Sequence, residues 1–149
     1  MNRVPAPRGY SLPELLVVLA IVAVIGSVVV SGYRAVRLVG DARHAGFIVS
    51  DALHEAQNRA LNEEYDSAWG ETIAGGNVVV FSGATYATRT SSRDHTYPLP
   101  SSITAAGTTE VDFAKFTGVP AAAATTTLSN AYGTSTVTVS TGGAISHMP

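Results

Sequence analysis

The sequence contains no cysteine. A disulfide staple and a thiolate metal site are therefore both excluded. The compartment stays open, because oxidising surroundings permit disulfides without requiring them. Charge is also scarce: charged residues make up 13% of the chain, and the formal net charge is −2. From Arg34 onward, seven basic residues stand against ten acidic ones. Tight binding of nucleic acid relies on Lys and Arg against phosphate, so this balance argues against it. The usual signatures of catalysis are missing too. His44, His54, His95 and His147 are scattered, without the i,i+4 pairing of a zinc-binding helix. Asp94 and His95 adjoin and serines abound, but no G-x-S-x-G elbow accompanies them. A solvated loop pair is the expectation there. Asp41, Asp51 and Glu55 fall in a helical pattern rather than a calcium loop with a central glycine. Glu63, Glu64 and Asp66 read as a solvated helix end, with weak cation binding as the alternative. No catalytic residue, metal ligand or cofactor site is predicted.

The N-terminus carries the strongest signal. Residues 1–9, MNRVPAPRG, hold two arginines and no acid. Tyr10-Ser11-Leu12-Pro13-Glu14 follows, and then Leu15 to Tyr33 without one charged residue. About 19 residues at 1.5 Å each make a helix close to the ~30 Å of a bilayer hydrocarbon core. In lipid the backbone must satisfy its own hydrogen bonds, so a lone span is helical. Arg3 and Arg8 favour a cytoplasmic N-terminus, whereas Arg34, Arg37 and Arg43 after the span oppose that orientation. A secretory signal peptide has a shorter apolar core. A simple membrane anchor accounts for the hydrophobicity but gives Glu14 no role. A carboxylate in a span costs about 2.5–3.5 kcal/mol at mid-bilayer and less near the interface, which makes it a functional candidate in need of a partner. If the chain were cut before Tyr10, the new α-amine would lie four residues N-terminal to Glu14. In a neighbouring copy, that amine could neutralise the carboxylate.

The stretch Gly9-Tyr10-Ser11-Leu12-Pro13-Glu14-Leu15-Leu16-Val17-Val18-Leu19-Ala20-Ile21 resembles the class III signal of type IV prepilins and pseudopilins. The resemblance implies cleavage after Gly9 by a prepilin peptidase and N-methylation of Tyr10. It also implies an assembly role for Glu14, which stands at mature position five. A glycine suits the cut because a residue without a side chain passes closely through a protease cleft. Tyr10 departs from the usual Phe or Met.

After the span, Leu38, Ala42, Ala45, Val49, Ala52, Ala56 and Ala60 recur at threes and fours. They predict an amphipathic helix from about Arg34 to Glu64 with a small apolar stripe facing a sheet. Gly70, Gly75 and Gly76 are expected to end the helical region. Short strands rich in Val, Thr and aromatics are predicted at Asn77–Phe81, Thr85–Arg89, Glu110–Phe113, Thr125–Leu128 and Thr136–Ser140. Pro98 and Pro100 bracket an extended surface segment, and Ala121–Ala124 reads as a loop. Trp69 and Tyr65 are expected in the core, with a partner surface as the alternative. Within the pilin family, Ala56–Leu61, Asp112–Gly118 and Thr136–Ile145 resemble segments of H-type pseudopilins and FimT-like minor pilins. The family's final hairpin often carries Arg where Gly143 and Ala144 stand here, which weakens any transfer of DNA binding.

The fold class expected is α+β and pilin-like. Its long N-terminal helix, half transmembrane and half amphipathic, packs on a C-terminal antiparallel β-sheet head. The domains expected are a leader at 1–9, a transmembrane and filament-core helix at 10–33, and a head at 34–149. The function implied is that of a structural subunit, a minor pilin or pseudopilin, and not an enzyme. The expected partners are other pilin or pseudopilin subunits, prepilin peptidase, an inner-membrane assembly platform and membrane lipid. The expected location is the bacterial inner membrane before assembly, then a pilus or periplasmic pseudopilus. The alternatives are a tip minor pilin that captures DNA or another ligand, and a membrane-anchored hydrolase.

Overall fold

The computed structural model describes residues Ser11–Pro149, apart from the side chains of residues 28–31, 34 and 35. The predicted leader and Tyr10 lie outside the described residues. The chain divides into two compact units, residues 1–36 and 37–149. Helix α1 spans Leu12–Leu61. Pro13 stands in its first turn, where a missing N–H is no loss. In the N-terminal unit, every Leu, Val and Ile from Leu12 to Ile25 is more than half exposed. The sequence predicts a transmembrane helix at 10–33. Among the described residues, no helix is long and apolar enough to cross a membrane. The apolar sequence itself continues through Val28, Val29 and Val30.

The second unit is the α+β arrangement expected, a helix packed on antiparallel sheets. Its strands are β1 (Trp69–Ala74), β2 (Asn77–Ser82), β3 (His95–Pro98), β4 (Thr104–Gly107), β5 (Glu110–Phe113), β6 (Ala124–Asn130), β7 (Gly133–Val139) and β8 (Ile145–Met148). One sheet has the order β3-β2-β1-β5 and the other β4-β6-β7-β8. Every named pair is antiparallel. The small stripe of α1 faces the core: Ala42, Ala45, Val49, Ala52, Ala56 and Ala60 are all buried, and Leu38 is half-buried. The sheets meet it with Trp69, Val78, Val80, Val111 and Phe113 from one side and Ala124, Leu128, Val137 and Val139 from the other. Alanines bring the helix axis close to the strands, so the large side chains come from the sheets.

Polar contacts fix the depth of the helix. Asn130 Nδ2 donates to the Leu38 carbonyl at 2.6 Å. Gln57 Nε2 donates to the carbonyls of Gly118 and Gly143 at 3.0 and 2.8 Å. Gly46 is buried against β7 and β8, where a Cβ would collide with Ser135 Oγ and the His147 ring.

The helix ends at Leu61, not at Gly70. Glu63, Tyr65 and Asp66 adopt left-handed φ values of 55°, 58° and 57°. The amide of Phe116 donates to the Ala60 carbonyl at 3.1 Å and closes the helix end from a distant loop. Gly70 lies inside β1. Gly75 and Gly76 form the β1–β2 turn, both at positive φ, as a two-residue hairpin of this twist requires.

Thr85–Arg89 is not a strand. Tyr86–Thr88 form a 3-10 turn. There the Arg89 guanidinium stacks 3.7 Å over the Tyr86 ring and donates to the Tyr86 carbonyl. The Tyr86 ring in turn packs edge-on against Phe81. These local contacts replace a ladder. His95–Pro98, ahead of the segment expected between Pro98 and Pro100, is strand β3. β1, β3, β4 and β8 lie outside the strands predicted from the sequence.

Candidate assembly site and the acidic groups of the head

Glu14 lies in the first turn of α1 and is exposed. The amide of Leu15 donates to the Ser11 carbonyl at 3.2 Å, so the turn that carries Glu14 is closed. Carboxylates are favoured at a helix N-terminus by the partial positive charge there. Around and beyond Glu14 the surface is hydrocarbon: Leu12, Leu15, Leu16, Val17 and Val18 are all more than half exposed. Covering one such side chain is worth roughly 1.5–3 kcal/mol. The whole rod therefore gains well over 10 kcal/mol, by the same scale, from any apolar cover. Gly9 and Tyr10, the other two predicted site residues, lie outside the described residues.

The head presents different chemistry. Glu55 on α1 accepts from Tyr97 Oη at 2.6 Å and from Arg59 Nε at 2.9 Å, and it lies 3.1 Å from His95 Nδ1. Arg59 also reaches Glu64 at 2.8 Å and stacks 4.7 Å from the Trp69 ring centre. The hydrogen bond to Glu55 raises the Tyr97 phenol above its ordinary value, because only the protonated phenol can donate; lost hydration and the charge of Glu55 add to the shift. This network ties β3 to the helix.

Two carboxyl groups were not legible in the sequence. Trp69, Glu71 and Ile73 share one face of β1. Glu71 pairs in register with Val80 on β2 and Val111 on β5, both core residues. Its side chain is fully buried, and Oε1 has no hydrogen-bond partner. Loss of hydration pushes its pKa from 4.5 up to about 8, so the group is neutral at pH 7. Asp112 on β5 is pushed from 3.8 to about 6, first by lost hydration and then by the charge of Glu110. The one trace of this in the sequence is the alternation Trp-x-Glu-x-Ile at 69–73, an acid on an apolar face.

The other candidate groups are dispersed. Asp94 pairs with Arg89 at 2.7 Å, while His95 turns toward Glu55, so the adjacent pair forms no triad. His54 Nδ1 meets the Ser50 carbonyl at 2.7 Å. Ser135 Oγ lies 2.7 Å from His147 Nε2, but Ser135 is buried beneath Gly46 and closed to any substrate. Among the described residues, no group of three or more His, Cys, Asp or Glu side chains could hold a metal ion. The acidic run after α1 is partly neutralised by Lys115, which contacts Asp66 and lies 4.0 Å from Glu63. Trp69 is in the core, as expected, whereas Tyr65, also expected there, is exposed beneath the Arg93 guanidinium, because the left-handed turn after α1 carries it outward. Arg59, Arg89, Arg93 and Lys115 are thus all occupied by carboxylates or aromatic rings, which leaves little basic surface on the sheet side for phosphate.

No curated protein and no solved structure matches the chain. Residues 6–30 match the family described as the prokaryotic N-terminal methylation motif, so this chain carries a type IV prepilin-like N-terminus directly ahead of a pilin-like α+β head.

Proposed function

We propose that the chain is a minor pilin or pseudopilin precursor. It is cut between Gly9 and Tyr10, methylated on Tyr10, and assembled into a pilus or secretion pseudopilus. The domains follow: a leader at 1–9, a membrane and filament-core helix at 10–33, and a head at 34–149. Before assembly, lipid covers the apolar rod; in the filament, neighbouring rods do. Glu14 then pairs with the Tyr10 amine of a neighbouring subunit. That pairing answers the cost of enclosing a carboxylate, since removing one partner of a buried pair costs about 3–5 kcal/mol. The observation that carries this reading is the coincidence of the matched motif at 6–30 with a bare apolar helix bearing one carboxylate in its first turn.

The head acts as a structural and contact module, with no enzymatic role. Two measurements test the reading. The mass of the native N-terminus should equal that of a chain starting at methylated Tyr10. Glu14→Ala should still enter the membrane but fail to enter filaments. A native protein that retains residues 1–9, or normal incorporation of Glu14→Ala, would refute the proposal.

A further inference from the structure

Strand β3 is paired on one side only, at the end of the order β3-β2-β1-β5. All four of its residues are exposed. An unpaired edge presents a row of backbone donors and acceptors to any extended chain. Natural edges are commonly blunted with lysine or proline; here only Pro98 serves, at the strand's end.

Beside this edge lies a cavity of about 170 Å³ between β3 and α1. Ile48 and Ala52 form its apolar floor, Tyr97 one wall, and Asp51 and Glu55 its acidic rim. Glu55 is already held by Arg59, Tyr97 and His95. Asp51 is exposed and has no ion pair or hydrogen bond among the described residues. Of its lining residues only Tyr97 lies outside the helix, so the cavity sits on the β3 flank of α1.

Size and geometry narrow the occupant. Pockets for whole small ligands measure roughly 300–1,000 Å³, so this one suits a single side chain. A strand added to β3 would lie about 4.8 Å from it, and residues directly opposite each other on neighbouring strands point to the same face. Tyr97 is opposite Val78, a core residue, so it faces the helix. A residue added opposite Tyr97 would face the helix too, over the cavity. An aliphatic stem over Ile48 and Ala52 with a cation at Asp51 fits both the floor and the rim, the way Lys and Arg bury their stems and keep their charged heads in water.

We propose that the open edge of β3 is a docking site for an extended peptide segment whose lysine or arginine enters the cavity between Tyr97 and α1. Backbone pairing supplies the attachment, and the acidic rim selects the side chain. The proposal does not depend on processing at Gly9.

The test uses the full chain in detergent micelles and a fluorescent pentapeptide, Thr-Val-Lys-Val-Thr, read by anisotropy. The lysine peptide should bind saturably. Its norleucine analogue should bind about fivefold more weakly, the scale of one partly exposed charge contact. Backbone N-methylation of the peptide should abolish binding. Asp51→Lys, at an exposed position that leaves the core intact, should reverse the preference in favour of a glutamate peptide. Equal binding of lysine, norleucine and glutamate peptides would overturn the proposal, as would no binding at all, or a preference untouched by Asp51→Lys. Self-association of the chain through this edge that shuts out the lysine peptide would assign the edge to a second copy and overturn it as well.

Discussion

Replacing Glu71 with Gln should raise stability at neutral pH and remove a pH dependence that the native head carries. The folded carboxyl has a pKa of about 8 against 4.5 for an unburied one. Below pH 4.5 both states hold the proton, and the group has no effect on stability. As pH rises from 4.5 to 8, the unfolded chain releases the proton and the folded chain keeps it. Stability therefore falls across that window by about 1.4 kcal/mol per pH unit and levels off above pH 8. The loss is about 3 kcal/mol at pH 7 and about 5 kcal/mol above pH 8. Against a typical total of about 5–15 kcal/mol, this is a large share.

Gln fills the same volume and cannot ionise, so the two proteins should be close in stability near pH 5 and diverge as pH rises. Urea unfolding of the full chain in detergent can be followed by the fluorescence of Trp69, the single tryptophan, which is buried beside this site. The difference between native chain and variant cancels the histidines. Reading it from pH 6 upward avoids most of the titration of Asp112, whose pKa is about 6. A difference that stays constant from pH 6 to 8.5, or a variant less stable at pH 8, would refute the account of Glu71.

Other expectations follow from packing and hydrogen bonding. Gly46→Ala would push a methyl into Ser135 and His147; overpacking of about 1–3 kcal/mol outweighs the helix-propensity gain of about 1 kcal/mol, and thermal unfolding should show a lower Tm. Asn130→Ala removes the bond to Leu38 and the acceptor for the amides of Tyr132 and Gly133, so urea titration should show a loss of about 2 kcal/mol. Gly9→Val should leave an uncut precursor, visible as an unchanged mass in cells that process the native chain. Arg59→Met keeps an apolar stem over Trp69 but frees Glu55 and Glu64; a loss of no more than about 1 kcal/mol is expected, because these pairs are partly exposed.

The apolar run, its lone acid and the alanine stripe were all readable along the chain. Helical contacts are local, with each amide bonded four residues back, so a period near 3.6 in Ala42, Ala45, Val49, Ala52, Ala56 and Ala60 already states which face is buried. Strands β2, β5, β6 and β7 were legible because they are rich in Val, Thr and aromatic residues, and β7 also alternates Thr and Val. The rest had no such local mark. β1 carries Gly70 and Glu71, β3 carries Pro98, and β4 is Thr-Ala-Ala-Gly; each is a strand because a neighbour supplies its ladder. Thr85–Arg89 has strand composition, but the stacking of Arg89 on Tyr86 and of Tyr86 on Phe81 folds it into a turn. Glu71 ends up dry because Val80 and Val111 flank it in register and α1 covers that face, and burial of this kind is a property of the assembled layers. A residue's neighbours along a helix are set by spacing in the chain, whereas its neighbours across a sheet are set by which distant segments come to lie beside it.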